Sequence, residues 1–148
     1  MSRKPRETCQ FDADKLLLRM QMNLPADVAE ISPAVDIIME AVREMECGSG
    51  HHFEIEMALR EALANAILHG CQGDPQHEVQ VCAACDTSRG MLIVVRDPGS
   101  GFDPNTIPSP IIGENIFSSG GRGVFLINQL MDEVYFRRGG TEIHMIKR

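Results

Sequence analysis

The apolar residues of this chain change their period along its length, and that change decides what it can fold into. Leu16, Leu18, Met20, Met22 and Leu24 alternate with Leu17, Arg19, Gln21 and Asn23, the period of a strand with one apolar face, and Pro25 ends it. Val35, Ile38, Met39, Val42 and Met45 then recur at helical spacing behind Ser32-Pro33, which reads as an N-cap followed by proline in the first turn. A shorter helical piece is expected over 26–31, and Cys47-Gly48-Ser49-Gly50 closes the helix as a turn. A second helix is expected over 53–69. Ile55, Leu59, Ala62, Leu63, Ala66 and Ile67 form its apolar face, and Gly70 takes the C′ position.

Residues 79–86 and 91–97 read as two strands of a hairpin around Thr87-Ser88-Arg89-Gly90. A third helix is expected over 123–131, and a last hairpin, 134–138 with 141–146, turns at Gly139-Gly140. The order is strand, helix, helix, strand, strand, long loop, helix, strand, strand. It implies an α+β fold, a two-layer sandwich with helices on one face of a mixed, mostly antiparallel sheet. At 148 residues the chain suits one compact domain. The polar, aperiodic stretch 1–14 is expected to be a flexible N-terminus, and 15–148 the domain.

Charge and composition exclude some classes of function. Lys and Arg total 14 against 21 Asp and Glu, a formal net charge of −7. A sequence-independent nucleic-acid binder needs a basic surface to displace counterions, so no direct nucleic-acid partner is expected. No apolar run approaches the ~20 residues of a membrane span, so no membrane partner is expected either. The five cysteines are odd in number and irregular in spacing, which argues against a disulfide framework and for a reducing cytoplasm. Cys82 and Cys85 form a CxxC on an expected strand, where they point to opposite faces and behave as core residues.

Three features carry chemistry. Glu61 and Asn65 lie four apart on the second helix and project from one face. Their neighbours Ala62, Leu63, Ala64, Ala66, Ile67 and Leu68 are apolar, so a carboxylate and an amide there face water, a polar partner or a ligand. Asp97-Pro98-Gly99-Ser100-Gly101 follows an apolar strand and sets an acceptor beside backbone that a ligand can approach closely. Gly120-Gly121-Arg122-Gly123 enters a helix, where backbone N–H groups and the helix N-terminus favour anions. Taken singly, each has an ordinary reading as well: a solvated i,i+4 pair, an Asp-Pro-Gly turn, a flexible helix-entry loop. No Walker motif is present. The Pro- and Gly-rich stretch 98–122 is longer than a simple connection and fits a binding loop or lid.

Taken together, the three features resemble the N, G1 and G2 boxes of the GHKL ATPase superfamily. Glu61-Ala62-Leu63-Ala64-Asn65-Ala66-Ile67-Leu68-His69-Gly70 looks like the N-box, and Asp97-Pro98-Gly99-Ser100-Gly101-Phe102 like the G1 box. Gly120-Gly121-Arg122-Gly123-Val124-Phe125-Leu126-Ile127, with Leu130-Met131-Asp132-Glu133-Val134 behind it, looks like the G2 box and its helix. More narrowly, the chain resembles the bacterial anti-sigma-factor serine kinases, over about residues 11–148.

The resemblance implies a histidine-kinase-type ATPase fold and a set of roles. Asn65 would coordinate Mg²⁺ on the triphosphate, and Glu61 would be the base for the attacking hydroxyl. Asp97 would accept from the adenine amino group, and Gly99 and Gly101 would give room for the base. Gly121 and Gly123 would contact phosphate, Arg122 would add charge beside phosphate or a partner, and residues 103–119 would be the ATP lid. The implied function is an ATP-dependent anti-sigma factor. It would bind a sigma factor, phosphorylate a serine of an anti-anti-sigma protein and work as a homodimer. Two alternatives stay open: an ATP-dependent partner-binding switch without kinase activity, and the detached ATPase domain of a split sensor histidine kinase.

Overall fold

The computed structural model describes residues 16–86, 89–99 and 119–148. Strand β1 (Leu16–Pro25) leads through a 3-10 turn (Val28–Glu30) into helix α1 (Ile31–Glu44) and helix α2 (His52–Asn65), and a π-helical turn, Ala66–Gly70, follows α2. Strands β2 (Glu78–Asp86) and β3 (Gly90–Arg96), helix α3 (Ser119–Leu130), and strands β4 (Glu133–Arg137) and β5 (Glu142–Lys147) complete the order. The five strands form one sheet in the order β1-β2-β3-β5-β4, and all four pairings are antiparallel. This is the α+β sandwich expected from the periodicities, except that among the described strands the sheet is wholly antiparallel and not mixed.

One core joins the layers. Val35, Ile38, Met39 and Val42 of α1, Ile55, Leu59 and Leu63 of α2, and Ile127 of α3 pack with Val79, Val81, Ala83, Met91, Ile93, Val95 and Met145 of the sheet. The alternate strand residues Cys82, Ala84, Leu92 and Val94 form a second cluster. Cys85 thus belongs to the helix-facing core and Cys82 to the other face, as strand alternation requires.

Several element ends differ from expectation. The expected cap Ser32 lies inside α1, because the 3-10 turn runs straight into the helix and leaves no free N–H groups there to cap. Asp27 caps the turn instead, its Oδ1 accepting from Ala29 N at 2.9 Å, while Ser32 Oγ accepts from Arg60 on α2 at 3.1 Å. Helix α3 begins at Ser119, so Gly120, Gly121, Arg122 and Gly123 lie within the helix and not in an entry loop. Glycine costs a helix about 1 kcal/mol per residue, a local penalty that packing of α3 on α2 overrides. The expected lid, 103–119, lies outside the described residues except for Ser119, as do Gly101 and the segment 1–14.

The cysteine expectation is corrected at three described residues: Cys47, Cys82 and Cys85 are all disulfide-bonded. Cys47, in the turn after α1, and Cys85, at the end of β2, form a disulfide across a Cα–Cα distance of 6.2 Å. Irregular spacing hid it, since the fold lays the α1–α2 turn over the end of β2. A bond of this kind contributes about 2–4 kcal/mol by restricting the unfolded chain. Cys47→Ala is therefore expected to melt roughly 5–15 °C below the parent under non-reducing conditions. Calorimetry checks this, and equal melting temperatures would deny the bond a structural role. Among the described residues, no helix is long and apolar enough to cross a membrane.

Candidate functional site

The site assembles where the end of α2 meets the end of β3. Glu61 and Asn65 stand one turn apart on the last two turns of α2, between the buried residues Ala62, Leu63, Ala66 and Ile67. Both are half-buried, unlike the solvent-facing Asp36, Glu40 and Glu44 of α1. Neither side chain is hydrogen-bonded to another described residue. A partly desolvated carboxylate and amide with open hydrogen-bonding capacity differ from a solvated surface pair, and they suit a ligand.

The helix does not stop after Asn65. It widens into the π-helical turn, with Cys71 N donating to Ala66 O at 2.9 Å and Gly73 N to Ile67 O at 2.8 Å. π-bulges recur at functional sites because they re-aim the residues beside them. The left-handed conformation expected of Gly70 is taken by Gln72 (φ 55°) and Gly73 (φ 71°). Gly70 is needed for a different reason, given by its distance to Asp97.

Asp97 leaves the sheet directly after β3, its N–H donating to Thr141 O at 2.9 Å. Its Oδ1 accepts from Gly99 N at 2.8 Å, which fixes the carboxylate at the end of this central strand. Burial pushes the Asp97 carboxyl above its ordinary range, against the opposing effect of the Gly99 N–H. On the other side stands Gly70: a Cβ built there would lie no farther than 2.5 Å from Asp97 Oδ1. A Cβ on Gly99 would lie 3.1 Å from the Gly70 carbonyl carbon and 2.9 Å from Asp97 Oδ1. The structure thus brings together Asp97, Gly99 and Gly70, a residue that the sequence placed at the end of a helix and of the N-box-like stretch but gave no role in the site. Gly121, Arg122 and Gly123 are placed by backbone alone, in the first turns of α3.

Sequence reasoning also missed a buried ionic network one residue upstream. Arg96 Nε donates to Glu142 Oε2 at 2.8 Å, and His144 Nε2 lies 2.9 Å from Glu142 Oε1. Glu142 and His144 are each 1% exposed, and Tyr135 stacks on His144 with ring centroids 4.9 Å apart. Burial alone would raise the Glu142 carboxyl, but hydrogen bonds from His144 and Arg96 hold it below its ordinary range. Burial lowers His144, against the opposing pull of Glu142. The network ties β3 to β5 where Asp97 departs. It pairs residues far apart in sequence, and no local pattern announces it.

Cys71 follows Gly70 and is a buried free cysteine. Burial, then the charges of Asp97 and Asp74, push its thiol up, which suits packing and not nucleophilic attack. Among the described residues, no group of three His, Cys, Asp or Glu could hold a metal ion by itself.

Residues 24–147 match the family model of the histidine kinase-like ATPase domain. The chain is 31% identical over 137 residues to the serine-protein kinase RsbW of Staphylococcus epidermidis, covering 86% of this chain and 85% of that protein. It is 30% identical to the protein of the same name from Bacillus licheniformis over 142 residues, covering 85% and 88%. The anti-sigma F factor of Bacillus cytotoxicus is 29% identical over 99 residues, covering 64% of this chain and 67% of that protein.

Proposed function

The chain belongs to the histidine kinase-like ATPase family, on its branch of anti-sigma serine-protein kinases, and from that premise we propose that it binds a sigma factor and phosphorylates a serine of an anti-anti-sigma protein. The family uses ATP, and the observation that carries the reading onto this chain is the setting of Asp97. Its carboxylate has Oδ1 engaged by Gly99 N–H and is packed against Gly70, where a Cβ would have no room. A half-buried carboxylate held in this way, with Oδ2 left to accept, suits the exocyclic amine of adenine.

Glu61 is the base. It takes the proton of the partner's serine hydroxyl as that oxygen bonds to the γ-phosphorus, the bond to the bridging oxygen breaks and ADP leaves. Asn65 supplies the amide oxygen for Mg²⁺, which neutralises charge on the phosphates when bound. Its half-burial and lack of a hydrogen bond to another described residue fit that task, and a magnesium ion on a nucleotide needs only one or two protein ligands. Gly101, Gly121, Arg122 and Gly123 complete the assignment, with Gly101 beside adenine, Gly121 and Gly123 at the phosphates, and Arg122 adding charge beside phosphate or a partner. The domain is 15–148, and the working form is a homodimer. Those partners act in the cytoplasm, where the Cys47–Cys85 bond is open to reduction.

The test uses the purified chain with a sigma factor and an anti-anti-sigma protein from its own cell. Labelled ATP with Mg²⁺ should place one phosphate on a serine of the second protein, and the chain should hold the first when ATP is bound. Sigma capture without phosphoserine would instead support the switch alternative. Phosphorylation of a histidine on a receptor would support the split sensor kinase.

A further inference from the structure

We propose that Gly70 is a positioning residue for nucleotide selection: the absence of its Cβ is what lets the Asp97 carboxylate occupy the place from which it reads the base. This rests on the assignment of Asp97 to adenine, and adds to it the residue that sets the carboxylate's position.

The argument is steric. Asp97 is held between two backbone surfaces. Gly99 N–H bonds Oδ1 at 2.8 Å from one side, and the Gly70 Cα faces the carboxyl from the other. A Cβ on Gly70 would come within 2.5 Å of Oδ1, and its first contacts would be the carboxyl carbon and both oxygens. Carbon atoms attract only at about 3.5–4.0 Å, so the two groups cannot coexist in place. Backbone gives way less easily than a side chain here. Asp97 N is bonded to Thr141 O, and the Gly70 backbone sits in the π-helical turn closed by Cys71 N on Ala66 O. The short Asp97 side chain therefore rotates, and in doing so it gives up the Gly99 N–H.

The π-helical turn explains how Gly70 comes to face Asp97. An α-helix continued past Asn65 would carry residue 70 around by 100° per residue, whereas the wider turn changes that phase and ends the segment against the strand. Gly70 has no positive φ that would require glycine. The contact with Asp97 supplies the requirement that conformation does not.

The experiment compares Gly70→Ala, Asp97→Ala and the double variant for binding of ATP and of purine riboside triphosphate, which lacks the 6-amino group, each with Mg²⁺. Calorimetric titration gives affinities and thermal melts report folding. The parent should prefer ATP, and Gly70→Ala should weaken ATP tenfold or more while changing purine riboside triphosphate by less than threefold. In the Asp97→Ala background, Gly70→Ala should cost less than twofold further, because the clash partner is gone. If Gly70→Ala fails to fold, the double variant should fold again. Gly70→Ala with the parent's preference intact would overturn the inference, as would additive losses in the double variant or a double variant that stays unfolded. If Asp97→Ala alone leaves the preference intact, the adenine assignment itself fails, and that result is separate from the behaviour of Gly70→Ala.

Discussion

Glu61→Ala is expected to remove phosphotransfer while leaving nucleotide binding in place. A general base contributes ~10²–10⁴-fold to rate, so partner phosphorylation should fall by that factor. ATP affinity should stay within a few-fold of the parent, because the carboxylate acts on the serine hydroxyl and not on the nucleotide. Asn65→Ala, one helical turn away, should behave differently and lose Mg²⁺-ATP affinity together with transfer. The two residues share a half-buried face of α2, so a merely structural effect would strike both alike. Sigma capture should survive in Glu61→Ala. The measurement is transfer from labelled ATP beside nucleotide titration of both variants. Full transfer in Glu61→Ala would take the residue out of the mechanism, and lost ATP binding would make it part of the metal or structural shell.

Asp97→Asn should cost ATP affinity and gain stability in the empty protein. The amide keeps an oxygen for Gly99 N–H but turns a donor toward the adenine amine, where an acceptor is needed. Loss of a hydrogen bond to a charged group is worth ~1.5–3 kcal/mol, or roughly 10–150-fold in affinity. The parent's preference for ATP over GTP, whose base presents a carbonyl at the same position, should disappear. The stability effect has the opposite sign. Burial raises the Asp97 carboxyl in the folded state, so folding holds its proton more tightly than the unfolded chain does. That contribution is fully present below the ordinary aspartate value and is lost as pH rises through the raised folded value. At neutral pH the empty protein therefore carries an ionised group in an unfavourable place, and the neutral amide removes that cost. Asp97→Asn should melt higher than the parent at pH 7, with the gap closing toward acid pH. Equal affinity for ATP in parent and variant would contradict the assignment.

The two variants probe residues that the sequence made legible to different degrees. Glu61 and Asn65 stood out because a polar pair at helical spacing interrupts an apolar run, and Asp97 because an apolar strand ends on it before two glycines. These signals are local. They also placed β2 and β3 within a residue or so of their observed bounds, since alternation and turn chemistry lie within a few residues of each other. Gly101 and the lid are read from sequence alone, as they lie outside the described residues.

The sequence by itself determined the kinds of elements, their order, the layered α+β class and the motif residues, because each is written in neighbours that touch within one strand or one helical turn. Only the tertiary structure decided what depends on approach between distant segments. It turned Gly70 from a helix stop into the surface against which Asp97 rests. It drew Gly120 to Gly123 into α3 by packing that outweighs glycine's poor propensity. It joined Cys47 to Cys85, and buried Glu142 with His144 and Arg96 behind the strand that presents Asp97. Propensity acts over a few residues and a fraction of a kcal/mol to about 1 kcal/mol each, whereas steric exclusion and buried pairing act at the distances the fold creates. Those distances do not exist until the sheet and helices have packed.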